Sequence, residues 1–319
     1  MTEFGPTTQL PARLIENVER VILGKREAIE TVVAGLLARG HVLVEDVPGV
    51  GKTVLARALA RSIQADFHRV QCTPDLLPSD VTGVSLFNPK ELRFEFRPGP
   101  IFAPVVLADE INRATPRTQS AFLEAMEERQ VSVDGVSHPL PDTFFLIATQ
   151  NPVELAGTFP LPEAQLDRFL LRVALGYPDE RNETRMMLAQ RETHPLQALR
   201  PVTDVAGLRA AQQAVARVHV SEAIAGYVQR LAAETRGHAH AAWGASPRGA
   251  LSLMRASQAL AAIQGQAFVA PDQVKRLAVS VLAHRVVVKP RSRVQGIDGA
   301  RVVQDVVARV EVPIEPARS

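Results

Sequence analysis

Apolar residues follow two rhythms along this chain, and the change falls near residue 178. In the first half, stretches with apolar positions three and four apart alternate with short runs that are apolar nearly throughout. The helical period predicts helices over Leu14–Leu23, Ala28–Ala38 and Lys52–Ile63. The apolar runs HVLVE (His41–Glu45), FHRVQ (Phe67–Gln71), VVLAD (Val105–Asp109) and FFLIAT (Phe144–Thr149) predict strands. Strands of this kind are expected where helices cover both faces of a parallel sheet. The alternation predicts an α/β doubly wound domain over residues 1–178. Past Tyr177-Pro178-Asp179 the β signal fades. Residues 180–285 are rich in Ala, Leu, Gln and Arg at helical spacing, with Asp204 and Ser221 as candidate N-caps and Pro271-Asp272 as a helix start. A helical domain is therefore expected over 179–319. Its last stretch, VVQDVVARVEVPIEP, reads as a strand or as a helix followed by a strand.

Two segments interrupt the α/β half. Thr82–Gly99 has two alternating arms around Asn88-Pro89, and Gln130–Leu140 carries the hairpin-turn dipeptide Asp134-Gly135. Both are too exposed in pattern for core strands and predict hairpin inserts near 82–99 and 130–140 that carry function on a scaffold.

Composition narrows the class. The chain has 319 residues, 46% of them apolar and 22% charged, which is ample material for a core. Its 36 Lys plus Arg against 34 Asp plus Glu give a net charge of +2, against the basic excess of a dedicated nucleic-acid binder. With Cys72 as the single cysteine, no intrachain disulfide framework is possible and a reducing compartment is expected. The opening MTEFGPTTQL has no basic n-region or apolar h-region, and no run of about eighteen apolar residues occurs. No signal peptide and no membrane span are expected, which points to a cytoplasmic protein.

The strongest local signal is VLVEDVPGVGKTVLARAL, a buried strand running through a glycine turn into a helix. Such a turn aims backbone N–H groups and a positive helix end at phosphate. The expected phosphate-binding set is Asp46, Val47, Pro48, Gly49, Val50, Gly51, Lys52, Thr53 and Val54, with Lys52 reaching the β- and γ-phosphates and the Thr53 hydroxyl on Mg²⁺. One position departs from the strict pattern: Asp46 stands where its first glycine belongs.

Four further signals follow in order. PVVLADEINRA ends a buried strand on Asp109-Glu110, where Asp109 can hold hydrated Mg²⁺ and Glu110 can polarise an attacking water; an acidic pair closing a strand is the bland alternative. FFLIATQNP ends on Gln150-Asn151-Pro152, where an amide can orient the same water or the sequence can simply turn. In LPEAQLDRFLLRV, Arg168 can serve a neighbouring subunit's nucleotide or pair locally with Asp167 or Glu163. In GASPRGALSLMRA, Arg248 opens a helix from which it can reach phosphate across the domain cleft or face solvent. Cys72 reads as an incidental thiol, and His238 with His240 as a surface loop without further metal ligands.

Taken in this order, the five signals resemble the AAA+ ATPases. The wording LVEDVPGVGKT, VLADEINRA, IATQNPVE, PLPEAQLDRF and GASPRGA is similar to the MoxR family, over roughly residues 8–290. That family often carries a non-glycine residue at the Asp46 position. The resemblance implies an AAA+ P-loop doubly wound sheet with a C-terminal α-helical lid. It implies that Gly49, Gly51, Lys52 and Thr53 belong to Walker A and Asp109 and Glu110 to Walker B. Asn151 then matches sensor 1, Arg168 the arginine finger and Arg248 sensor 2, with ATP and Mg²⁺ as cofactors. It further implies a homo-hexameric ring whose pore is faced by the two hairpins, with Phe87, Phe94 and Phe96 read equally as pore contacts or as hairpin packing. Its clients would be proteins, among them partners with a von Willebrand factor A domain. A nucleic-acid motor or loader is the alternative, disfavoured because Glu91 and Glu95 offset Lys90, Arg93 and Arg97. A non-hydrolysing scaffold is disfavoured because Lys52, Asp109 and Glu110 are all present.

Overall fold

A computed structural model of the chain describes residues 9–152, 157–191 and 193–313. The front of the chain runs α1 (Leu10–Glu19), α2 (Arg26–Leu37), β1 (Val42–Glu45), α3 (Lys52–Ser62), β2 (Phe67–Gln71), α4 (Pro78–Thr82), β3 (Gly83–Asn88), β4 (Arg93–Pro98) and β5 (Val105–Asp109). It continues through α5 (Pro116–Glu128), β6 (Gln130–Val133), β7 (Val136–Pro139), β8 (Phe145–Gln150), α6 (Glu163–Leu166) and β9 (Leu171–Val173). The first helix begins at Leu10, earlier than its apolar period suggested, because Pro11 in its first turn fixes a helical φ, and it ends at Glu19.

Five strands form a parallel sheet in the order β2-β5-β8-β1-β9. Alternate residues of the central strands supply two separate cores. Val42, Val44, Val105, Leu107 and Ile147 pack with Leu55 and Leu59 of α3, whereas Leu43, Val106, Ala108, Leu146 and Ala148 pack with Phe122 and Leu123 of α5. Helices on both faces are what the apolar strands required. The edge strand β2 departs from that pattern: His68, Arg69 and Gln71 are exposed, because it has a neighbour on one side only. The fifth strand, β9, was legible only as a short apolar run, since three residues carry no period.

The two inserts are antiparallel hairpins. In the first, β3 and β4 pair from Gly83 opposite Pro98 to Asn88 opposite Arg93, and the Asn88 side chain accepts the Lys90 N–H at 3.0 Å to close the turn. In the second, Val133 pairs with Val136 around Asp134 and Gly135, both at positive φ. Phe96 packs: its ring stacks on His138 with centroids 3.8 Å apart, joining the two hairpins, and meets Phe102 at 5.5 Å. Phe87 and Phe94 touch each other edge-on at 5.4 Å and stay 51% and 70% exposed, so they cover no core.

After β9 come α7 (Glu180–Ala189), α8 (Pro195–Ala198), α9 (Val205–Val215), α10 (Glu222–Gly237), β10 (Ala241–Trp243), α11 (Pro247–Ile263), α12 (Pro271–Leu282), β11 (Val287–Val288), α13 (Pro290–Val294) and α14 (Gly299–Arg309). Asp204 and Ser221 cap α9 and α10 by accepting the Gly207 and Ile224 N–H groups. The tail is helical to Arg309; residues 314–316 lie outside the described part, as do 153 and 154 of the fourth-strand motif. His238 is buried rather than on a surface loop, 3.9 Å from Asp305, and among the described residues no group of three or more His, Cys, Asp or Glu is placed to hold a metal. No helix among the described residues is long and apolar enough to cross a membrane.

Candidate nucleotide site

Parallel strands bring their carboxyl ends to one edge of the sheet, and that edge gathers the motif residues. Gln71 lies opposite Asp109 across β2 and β5, and Glu45 opposite Gln150 across β1 and β8. Between β1 and α3 the loop turns through Gly49 at φ +84° and Gly51 at φ +94°, conformations that L side chains rarely adopt. Lys52 and Thr53 then open α3. The Thr53 hydroxyl donates to Asp109 Oδ2 at 3.3 Å, and Lys52 Nζ donates to the Asp46 carbonyl at 2.6 Å. Burial pulls the Lys52 ammonium below its ordinary range, while Asp46, Asp109 and Glu110 pull it back up.

Asp46 explains its own departure from the glycine pattern. One carboxylate oxygen accepts the Val47 N–H at 2.8 Å; the other accepts the N–H groups of Leu175 and Gly176, each at 2.6 Å. The side chain ties the phosphate loop to the strand end that follows β9, and it is 8% exposed. Replacing it by the glycine of the strict pattern strands the buried Leu175 N–H. Asp46→Gly is therefore expected to lose about 1–3 kcal/mol of stability, read as a lower urea midpoint at unchanged m value. An unchanged midpoint would show that the tie is dispensable.

Asp109 is 7% exposed and fully engaged. Its Oδ1 accepts the Thr149 hydroxyl at 2.6 Å, and Oδ2 accepts Arg69 Nε at 2.8 Å as well as Thr53. Glu110 takes a left-handed backbone at φ +57° and its N–H donates to Thr149 Oγ1 at 2.8 Å. Its Oε2 accepts Gln71 Nε2 at 3.1 Å and Arg113 at 3.0 Å. The hydroxyl of Thr53 beside the carboxylate of Asp109 is a set of hard oxygen donors that suits Mg²⁺ better than a softer metal. Asn151 sits at the end of β8, 8% exposed. Cys72, at the foot of this edge, is fully buried, and burial with the nearby Asp109 and Glu110 pushes its thiol up to about 12, which makes it inert as a nucleophile.

A cavity of about 480 Å³ adjoins the loop. Gly49 and Gly51 line one wall, Val21 and Lys25 another, and Tyr177 and Met186 a third. Its volume fits a small-molecule ligand. None of its lining residues lies beyond Pro195, so the later helices contribute nothing to it. Arg248, expected to reach across the chain's own cleft, lies elsewhere: α11 packs against α2, and Arg248 pairs with Glu127 near the end of α5 at 3.0 Å. Arg168 has the same partner, Glu127, at 2.9 Å, and not the local Asp167 or Glu163. Asp167 is occupied by Arg285, which is buried and donates to Asp167 Oδ1 at 2.7 Å and to the Asp167 carbonyl at 3.0 Å. The structure thus makes two groups: Lys52, Thr53, Asp109, Glu110 and Asn151 along the strand tips, and Arg168 with Arg248 on Glu127. Sequence reasoning missed Arg69, Gln71, Thr149, Glu127 and Arg285, whose roles arise only from register and from contacts distant in the chain.

A strand, a glycine turn and a helix opening on Lys52-Thr53, with an acidic pair ending the next strand but one, define a P-loop nucleotide-binding fold. Comparison with known proteins gives the narrower class. Residues 41–171 match the family described as "ATPase family associated with various cellular activities (AAA)", and residues 233–306 match the AAA lid domain. The chain is 48% identical to the protein YeaC of Bacillus subtilis over 96% of both chains. It is 38% identical to Chaperone MoxR1 of Mycobacterium tuberculosis, over 94% of this chain and 82% of that one. A crystal structure from Cytophaga hutchinsonii, of a protein provisionally assigned as an ATPase, superposes with a TM-score of 0.89 at 33% identity, over 97% of this chain and 96% of that one. The chain belongs to the MoxR family of AAA+ ATPases, with a P-loop α/β sheet followed by a helical lid.

Proposed function

We propose that the protein hydrolyses ATP with Mg²⁺ and uses the cycle to remodel or activate partner proteins, as a cytoplasmic ring of identical subunits. The observation that carries the hydrolytic reading is the Thr53–Asp109 contact of 3.3 Å, which brings the phosphate loop and the acidic strand end to one point. Thr53 and Asp109 would hold Mg²⁺, which when bound neutralises charge on the β- and γ-phosphates. Lys52 would contact phosphate, and Glu110 would orient and polarise the attacking water with Asn151 beside it. Arg168 would complete a neighbour's site. No covalent intermediate is required, because positioning and charge stabilisation suffice.

The protein-client reading draws on the hairpins. Leu86, Phe87, Leu92 and Phe94 are exposed there, while Arg93 is engaged by Glu91 at 2.5 Å and Glu95 at 3.3 Å. An exposed apolar tip suits an unfolded or apolar protein segment, and with Arg93 paired and Glu91 and Glu95 set against Lys90 and Arg97 the hairpin has little net positive charge for a phosphate backbone. Chaperone MoxR1, by its name, acts on proteins. The test is capture by the hydrolysis-deficient Glu110→Gln protein in the presence of ATP, alongside stimulation of turnover by added protein or polynucleotide. Specific protein capture released by ADP supports the reading; stimulation by polynucleotide alone, falling steeply with salt, would favour a nucleic-acid motor.

A further inference from the structure

We propose that Glu127 is a positioning residue that holds Arg168 and Arg248 together as one pair of cations, so that both reach a neighbouring subunit's nucleotide as a unit. The proposal rests on the reading that Arg168 serves a neighbour's site. Its observation is that one carboxylate takes both guanidinium groups, one on each oxygen: Oε2 meets Arg168 Nε at 2.9 Å and Oε1 meets Arg248 Nη1 at 3.0 Å. The two arginines come from segments eighty residues apart, and nothing but the fold brings them together. Two guanidinium groups side by side repel each other, and a carboxylate between them offsets that repulsion and fixes their forks.

Their backbones share a second anchor. Arg285 donates to the carbonyls of Asp167 and Phe169, the residues on either side of Arg168. Its side chain also runs under Gly249, the residue after Arg248, where an added Cβ would meet Arg285 Cδ at 2.9 Å. Buried Arg285 therefore sets where the two chain segments lie, and Glu127 sets where their charged ends point. The three groups are partly exposed, at 31% for Arg168, 44% for Arg248 and 35% for Glu127, and exposed ion pairs contribute little to stability. A contact of small energetic worth that fixes two cations of a shared site is better explained by their alignment than by folding. Glu127 lies in the last turn of α5, the helix that follows the Glu110 strand end after a 3-10 turn over Ile111–Arg113.

The test is steady-state ATP turnover by Glu127→Gln, Glu127→Ala, Arg168→Ala, Arg248→Ala and the Glu127→Ala/Arg248→Ala double variant. Misplacement by about an ångström costs on the order of 10²-fold in rate, so Glu127→Ala is expected to lower kcat by that order with KM for ATP and the thermal midpoint unchanged. Glu127→Gln, nearly the same shape with one acceptor oxygen, should fall between it and wild type and carries the test if the alanine variant folds poorly. In the double variant the Arg248→Ala loss should be smaller than in the wild-type background, because the pair is already misaligned. Turnover at or above the wild-type level in both Glu127 variants, or losses that multiply in the double variant, would overturn the proposal while an impaired Arg168→Ala left the neighbour-site reading intact. An Arg168→Ala protein with wild-type turnover would sink that reading itself.

Discussion

A Glu110→Gln protein is expected to bind ATP as tightly as wild type and scarcely turn it over, whereas Lys52→Ala should lose binding itself. The contrast follows from where the two side chains stand. Lys52 opens α3 at the phosphate loop, so its charge would act on bound phosphate in the ground state. Glu110 stands one residue beyond Asp109 with its backbone turned to φ +57°, and Gln71 and Arg113 hold its carboxylate. In the proposed role it acts on the water, so its removal should be felt in the transition state and not in affinity. The amide keeps the shape and hydrogen bonds of the side chain while removing the charge that polarises water. Filter binding or calorimetry with ATP, paired with phosphate release, separates the two variants. Equal turnover in wild type and Glu110→Gln would remove Glu110 from the mechanism.

Arg168→Ala should produce the largest purely catalytic loss. Arg168 does not line the cavity beside its own phosphate loop, and it is turned onto Glu127, so its own pocket would be complete without it. Arginines supplied in trans to a transferring phosphoryl group are worth about 10³–10⁵ in rate. The variant is therefore expected to keep near-normal ATP affinity and lose kcat by that order. Wild-type turnover per subunit should rise with protein concentration as subunits assemble if, as proposed, each site is shared.

The central sheet, the phosphate turn and the acidic pair were legible because each is local. Four apolar runs specified four strands, two glycines specified a tight turn, and Asp109-Glu110 closed a strand whose end the apolar pattern marked. The fifth strand was not legible, since Leu171–Val173 is too short to show a period and exists by pairing with Val42–Val44. Nor was the partner of Arg168. Asp167 and Glu163 were the nearest acids in the chain, but buried Arg285, 118 residues away, claims Asp167 and leaves Arg168 to Glu127. Asp46 showed its departure from pattern in the sequence, yet its reason lies in the Leu175 and Gly176 N–H groups, which only the packing of β9 beside β1 supplies. Arg248 was legible as a cation opening a helix and illegible in direction, because that depends on α11 settling against α2.

An ATP site built by two subunits makes a sharp demand on mixtures of two inactive proteins. An Arg168→Ala subunit retains Lys52 and Glu110; a Lys52→Ala subunit retains Arg168. Where the second stands beside the first in a ring, one complete site is rebuilt. Phosphate release measured on co-assembled mixtures should therefore exceed that of either variant alone and peak at intermediate ratios. Mixtures shown to co-assemble that release no more phosphate than the separate variants would contradict it.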